Sequence, residues 1–223
     1  NQRTTDDAQG NSLSHANPEG TSRFQARLDY ARKFGDHNVT AMVLYYMQNK
    51  IVGKEVPYRY MGFSGRATYD YKNKYLFEFN IGYNGSENFA RGHRFGVFPA
   101  GSIGWVVSQE EFMKNVRWID HLKLRASYGL VGNDQINGSR FIYMSQIDLG
   151  GKGFTTGVNQ NVTYNGPVYQ RYANENITWE VGEKINFGVD LQLFHSLDLT
   201  FDIFRENRRD IFQEKGTTPT YMG

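Results

Sequence analysis

Hydrophobic and polar residues alternate along most of this chain. In INFGVDLQLFHSLDLTFDIF, residues 185–204, Ile185, Phe187, Val189, Leu191 and Leu193 are apolar, with Asn186, Gly188, Asp190 and Gln192 between them. The pattern resumes at Leu197, Leu199, Phe201 and Ile203, separated by Asp198, Thr200 and Asp202. A period of two marks a β-strand with unlike faces. Directly opposed residues of an antiparallel pair share a face. A turn of His195-Ser196 alone sets Leu193 against Asp198 and mixes the faces. A three-residue turn, Phe194-His195-Ser196, sets Leu193 against Leu197, Leu191 against Leu199, Val189 against Phe201 and Phe187 against Ile203. The pattern therefore predicts a hairpin with the longer turn.

The same reasoning phases two earlier hairpins. GFSGRATYDY puts Phe63, Ala67, Tyr69 and Tyr71 on one face, and Ser64, Arg66, Thr68 and Asp70 on the other. YLFEFNIGY puts Tyr75, Phe77, Phe79, Ile81 and Tyr83 against Glu78, Asn80 and Gly82. A Lys72-Asn73-Lys74 turn matches these faces, with Tyr71 opposite Tyr75 and Tyr69 opposite Phe77. In RFQARLDYARKFGDHNVTAMVLYYMQ, a four-residue turn at 34–37 groups Phe24, Ala26, Leu28 and Tyr30 with Val39, Ala41, Val43, Tyr45 and Met47. Met42 and Leu44 then fall on the polar side. LKLRASYGL sets Leu122, Leu124, Ala126, Tyr128 and Leu130 against Lys123, Arg125, Ser127 and Gly129. RFGVFPAGSIGWVV reads as a strand with a bulge at Pro99, which has no N–H for a ladder.

One helix is predicted, over about 109–118. Ser108 and Glu111 have the spacing of a capping box, and Phe112, Val116 and Ile119 keep a helical period. Glu110 and Glu111 then sit at a helix start, where acids favour the dipole. Short connections (34–37, 72–74, 194–196) alternate with longer ones (about 49–61, 85–93 and 132–181), and the helix makes a compact turn over 108–120. Up-and-down membrane barrels alternate in this way, with short turns at the periplasmic end and long loops outside. The strands 185–193 and 197–205 have nine residues each, within the roughly 9–11 that a tilted membrane strand needs.

Alternation alone leaves open whether the apolar face meets lipid or a protein core. Hydrophobic residues make up 39% and mean hydropathy is −0.62, so no segment approaches the roughly 18 apolar residues of a membrane helix. That does not exclude a barrel, whose strands show lipid only every second residue. Phe 16, Tyr 15, Trp 3 and Gly 24 suit β-structure with many turns, in a sandwich as well as in a barrel. With no cysteine there is no disulfide framework. A net charge of +2 with interspersed signs carries no nucleic-acid footprint. The ends, NQRTTDDAQGNSLSHANPEGTS and KGTTPTYMG, read as loops.

Four blocks carry a family resemblance. NENITWEVGEKINFGVD places Asn174, Ile177, Trp179, Glu180, Gly188 and Asp190 on an N-x-x-L-x-W-E…G-x-D pattern, with Ile177 for the leucine. FPAGSIGW, LKLRASYGLVGN and GFSGRATYDY…YNGS are similar to three more blocks in order. Over roughly 23–222 the chain resembles the SusC/RagA-type TonB-dependent transporters. The resemblance implies an all-β fold: an antiparallel up-and-down transmembrane β-barrel, this chain holding about eight strands of a 22-stranded, plugged barrel. It implies outer-membrane import of a glycan, oligosaccharide or (glyco)peptide. The implied partners are a SusD-like lipoprotein lid, a TonB complex acting through a plug, and the lipid bilayer. We see no plug domain and no closing strands, so the whole of 1–223 is expected to be barrel from a larger receptor. Two other readings stay open: a soluble carbohydrate-binding β-sandwich, with Leu191 and Phe201 buried under a second sheet, and a complete eight-stranded small barrel, with its first and last strands paired.

No catalytic motif, metal site or cofactor site emerges, and no enzyme is expected. His15, His37, His93, His121 and His195 are scattered on turns and loops. Asn84-Gly85-Ser86 and Asn137-Gly138-Ser139 match a short sequon and read as loop residues. The barrel reading makes Arg66, Asp70, Glu78, Lys123, Arg125, Asp190, Gln192 and Asp198 lumen-facing. Trp105, Trp118 and Trp179 suit an interfacial girdle. Two aromatic-plus-arginine patches, Tyr58-Arg59-Tyr60 and Tyr169 with Arg171 and Tyr172, are candidate cargo contacts on outer loops, since aromatic faces stack on sugars and arginine bridges hydroxyls or acids.

Overall fold

The computed structural model describes residues 19–53, 55–135 and 140–213. Residues 1–18, the Asn137-Gly138-Ser139 sequon and residues 214–223 lie outside them. Among the described residues there are ten strands: β1 (Glu19–Phe34), β2 (His37–Val52), β3 (Tyr58–Tyr71), β4 (Tyr75–Ser86), β5 (Phe95–Val106), β6 (Ile119–Asn133), β7 (Gln146–Thr156), β8 (Val162–Arg171), β9 (Glu180–Leu193) and β10 (Leu197–Arg209). Eight make one antiparallel sheet in the order β1-β2-β3-β4-β5-β6-β9-β10, and β7 pairs with β8 separately. The order is up-and-down throughout. Strands β6 and β9 become neighbours because β7 and β8 form an excursion in the connection between them, a hairpin that the sequence pattern did not reveal.

Registers follow the two-faced pattern. Leu193 opposes Leu197, Val189 opposes Phe201 and Phe187 opposes Ile203; Tyr71 opposes Tyr75 and Tyr69 opposes Phe77. Phe194 (φ 53) with His195 (φ 58), and Lys72 (φ 53) with Asn73 (φ 55), are left-handed, which gives a turn the twist that a hairpin needs. The N–H of Ser196 donates to the Leu193 carbonyl (3.1 Å) and that of Lys74 to Tyr71 (2.9 Å). The first hairpin turns more tightly than expected. Phe34 pairs with His37, leaving only Gly35 and Asp36 in the turn, with Gly35 at φ 59. Both turn lengths set Lys33 against Asn38, so the faces are unchanged.

Other expectations need correction. The sequence predicted a loop up to residue 22, but β1 begins at Glu19. Asn84-Gly85-Ser86 ends β4 instead of lying in a loop, and Ser86 is buried. Pro99 makes no bulge: it pairs with Ile81 in an unbroken β4–β5 register, and the ladder to β6 begins only at Ala100. The predicted helix is instead two 3₁₀ turns, Val107–Gln109 and Glu111–Met113, without a side-chain cap. Between them Glu110 is extended (φ −77, ψ 151), which takes its carboxylate to the end of the sheet. Strands β9 and β10 have 14 and 13 residues instead of nine. Longer β2 and β3 shrink the expected 49–61 loop to residues 53–57. The alternation still holds. Residues 35–36, 72–74, 107–118 and 194–196 lie at one end, the turn end; the connections that follow β2, β4 and β6 leave from the other, the loop end.

Two alternatives fall here. The edge strands β1 and β10 do not pair with each other, so the eight strands do not close as a small barrel. Among the described residues no second sheet covers the apolar face either: Leu28 is 74%, Phe79 51% and Phe201 63% exposed, and Leu191 is only half-buried. The buried hydrophobic residues among those described are Phe89, Ala90, Val106, Val107, Ile142, Ile177 and Trp179. They lie at strand ends and in connections, not along the apolar face.

Aromatic rings bracket that face. Toward the loop end, Phe24 and Tyr45 (6.2 Å between centroids), Tyr45 and Phe63 (4.8 Å), and Tyr83 and Phe95 (5.0 Å) form one tier. Toward the turn end, His37 and Tyr71 (4.8 Å), and Tyr71 and Tyr75 (6.4 Å), form another, extended by Trp105 opposite Tyr75. From Phe63 to Tyr71 is about 26 Å along β3 at about 3.3 Å per residue, or about 20 Å across the band for a strand tilted by roughly 40°.

Candidate functional site

The polar face is a continuous ionic surface built by register. Arg66 on β3 pairs with Glu78 on β4 (2.9 Å). Asn38 donates to Asp70 (2.8 Å), which also accepts the N–H of Asn73 in the turn (3.3 Å). Arg125 on β6 reaches Asp190 on β9 (3.3 Å) and Asp202 on β10 (2.8 Å). It passes over Gly188, which opposes both Arg125 and Asp202. A Cβ at Gly188 would lie 2.5 Å from Arg125 Nε and 2.7 Å from Asp202 Oδ1, so glycine opens the path. This is the structural content of the G-x-D block. Gln192 and Asp198 oppose each other further along, and Thr200 donates to Asp190 (3.3 Å). A groove of about 420 Å³ runs along this face past Asp70, Glu78, Lys123, Arg125, Ser127 and Asn186. All eight lumen candidates thus share one face, together with Asp202, which was not among them. Its place opposite Gly188 is the signal that could have found it.

At the turn end, Glu110 ties strands together. It accepts hydrogen bonds from Tyr75 Oη (2.7 Å), Trp105 Nε1 (3.1 Å) and Lys74 Nζ (3.3 Å). The Tyr75 hydroxyl above all, then Trp105 and Lys74, holds this carboxyl below the ordinary glutamate range. Asp120 similarly receives His195, through its backbone N–H (2.6 Å) and its Nε2 (3.0 Å).

At the loop end, Phe89, Ile142, Ile177 and Trp179 form a small core, with Phe98 and Phe212 packed against it. Trp179 is buried and donates to the Arg94 carbonyl (3.1 Å). It is therefore a core residue and not a girdle residue, unlike the exposed Trp118. The Phe98 ring covers Gly96 and Gly132, leaving no room for a Cβ at either. Asn133 donates to Glu180 (3.1 Å). The F-P, G-N and W-E blocks, distant in sequence, therefore meet here. Ser86 adds a bond to Asp134 (2.6 Å), which also takes the Asn88 amide.

The aromatic patches lie at this same end. Tyr58, Arg59 and Tyr60 open β3 instead of lying in a loop. Tyr58 is occupied: the Arg140 guanidinium stacks on it at 3.6 Å, and its hydroxyl donates to Glu55 (2.9 Å). Arg59 lies 3.9 Å from Glu87, and Tyr60 is half-buried. Arg140 also covers Phe141 (4.5 Å), whose carbonyl accepts from Arg171 (3.4 Å). Residues 140–141 therefore link the two patches. Tyr169 and Tyr172 stack on each other (5.1 Å, 13°) and stay exposed.

No family model matches the chain. It is 29% identical over 227 residues to TonB-dependent receptor P3 of Formosa agariphila, across 88% of this chain and 22% of that protein. It is 28% identical over 181 residues to TonB-dependent receptor SusC of Bacteroides thetaiotaomicron, across 81% of this chain and 17% of that protein. The chain thus spans about a fifth of these curated relatives. Its fold matches a chain in the structure of the RagAB peptide transporter with a TM-score of 0.68 and 18% identity, covering 86% of this chain and 24% of that one. Sequence relatives and fold agree: the chain is similar in sequence to TonB-dependent receptors of the SusC type, and its antiparallel sheet matches a stretch of the RagAB transporter's β-barrel.

Proposed function

We propose that the protein is an outer-membrane, TonB-dependent importer of a glycan, oligosaccharide or (glyco)peptide, and that this chain is part of its barrel wall. The observation that carries this reading is the two-faced sheet. An apolar face is exposed between two aromatic tiers, and an ion-paired face lies behind it. Such a sheet is stable where lipid replaces water on one side and a wet lumen meets the other. Arg66, Asp70, Glu78, Arg125, Asp190, Gln192 and Asp198 line the lumen. The loop end faces outward and the turn end faces the periplasm. Cargo meets Tyr169, Arg171 and Tyr172 first, because the Tyr58 ring is already covered. A SusD-like lipoprotein caps the loops, and a TonB complex drives import through a plug. The RagAB peptide transporter supports a peptide cargo, and the SusC relative supports the nutrient-receptor class. Passage follows conformational change, so no residue here carries out bond chemistry.

Single cysteines placed at 198–203 in the full-length receptor, in native outer membranes, test the reading. A polarity-sensitive fluorophore should report lipid at 199, 201 and 203 and water at 198, 200 and 202. A uniform or inverted pattern refutes it.

A further inference from the structure

A crevice of about 410 Å³ opens just beyond the loop-end aromatic tier, between the outer parts of β2, β3, β4 and β5. Its walls are Met47, Met61 and Phe95, with the Phe95 ring lying over Gly85, where a Cβ would meet it at 2.5 Å. Met47, Met61 and Phe95 continue the exposed apolar face. Met47, Met61 and Gly85 each stand two residues outward from the tier members Tyr45, Phe63 and Tyr83. The next residues outward on that face are Asn49, Arg59 and Glu87. Arg59 is 63% exposed and sits 3.9 Å from Glu87. The crevice is therefore apolar at its base and has donors and acceptors at its rim. It lies where the aromatic tier places the boundary between acyl chains and headgroups.

We infer that this crevice binds an outer-leaflet glycolipid, with one acyl chain against Met47, Met61 and Phe95 and a hydroxyl-bearing headgroup on Arg59, Asn49 and Glu87. Two features favour this occupant. The crevice is continuous with the lipid-facing band, so an acyl chain enters it without leaving the membrane. Its rim offers an arginine donor beside a carboxylate acceptor, which suits sugar hydroxyls that both donate and accept. Methionine walls adapt to a flexible chain. The inference rests on the membrane orientation proposed above.

The test uses the full-length receptor in phosphatidylethanolamine nanodiscs. These contain an acylated glucosamine-disaccharide lipid with a photoreactive acyl chain. Cross-links should concentrate on the peptides carrying Met47, Met61 and Phe95. They should fall about fivefold, a loss of about 1 kcal/mol, in Met61→Trp but not in Ile81→Trp, which adds the same bulk in mid-band. Phosphatidylethanolamine with the same photoreactive chain should label these peptides less than the glycolipid does. This comparison needs no variant to fold. Equal labelling by both lipids, or equal loss in both variants, overturns the inference and leaves ordinary boundary lipid. If the cysteine scan finds no lipid at 199, 201 and 203, the membrane reading itself fails.

Discussion

Gly188→Ala tests whether the ionic wall depends on a missing side chain. A Cβ there stands 2.5 Å from Arg125 Nε, 2.9 Å from its Cγ and 2.7 Å from Asp202 Oδ1. These distances are shorter than carbon atoms tolerate, so the guanidinium must leave its place between β6 and β10. Hydrogen bonds to charged groups contribute about 1.5–3 kcal/mol when sheltered, and exposed ion pairs about 0.2–1 kcal/mol. The three side chains are 32–36% exposed, which puts the contribution between those limits, at roughly 1–1.5 kcal/mol. Alanine also recovers roughly 0.5–1 kcal/mol of the chain entropy that glycine loses in a strand. The net expected loss is therefore small, roughly 0.5 kcal/mol. The background makes the test sharp. In Arg125→Ala the obstruction is gone and Asp202 is free to rotate, so Gly188→Ala should stabilise by roughly 0.5–1 kcal/mol. The assay is urea unfolding of the full-length receptor in lipid vesicles, followed by tryptophan fluorescence, for the wild type, both single variants and the double variant. If Gly188→Ala has the same effect in both backgrounds, Arg125 does not depend on the open path at Gly188.

Two further outcomes are expected. Trp179→Ala should cost about 3–5 kcal/mol, as for other buried large-to-small changes, and should make residues 87–94 and 140–143 sensitive to brief proteolysis while the turn end stays resistant. Because the Glu110 carboxyl is held low by Tyr75, Trp105 and Lys74, its contribution is fully present above the ordinary glutamate value of 4.5 and is lost as pH falls through the depressed folded value. Trp105 fluorescence should therefore titrate with a midpoint below 4.5, and Glu110→Gln should abolish that step; a midpoint above it contradicts the anchoring role.

The one-dimensional pattern alone determined the eight strands of the main sheet, three hairpin registers and the membership of each face. Strand side chains alternate with a strict period of two, so one mismatched turn length sets Leu193 against Asp198, and only one phase keeps every pair alike. For the same reason the sequence alone groups Arg66, Glu78, Arg125 and Asp190 on one wall. Which ends of that wall touch is a different kind of information. That Arg125 crosses Gly188 to Asp202, that Phe98 lies on Gly96 and Gly132, and that Trp179 is a core residue all depend on contacts between strands far apart in sequence. The 109–118 segment shows the limit most plainly. Its local pattern favours a capped helix, yet hydrogen bonds from Tyr75, Trp105 and Lys74 to Glu110 favour an extended residue in the middle. Isolated short helices are marginal in water, so three tertiary bonds outweigh local preference. The β7–β8 hairpin escaped for a related reason. Its ladder has three register shifts, and each shift breaks the alternation by which a strand can be read from sequence.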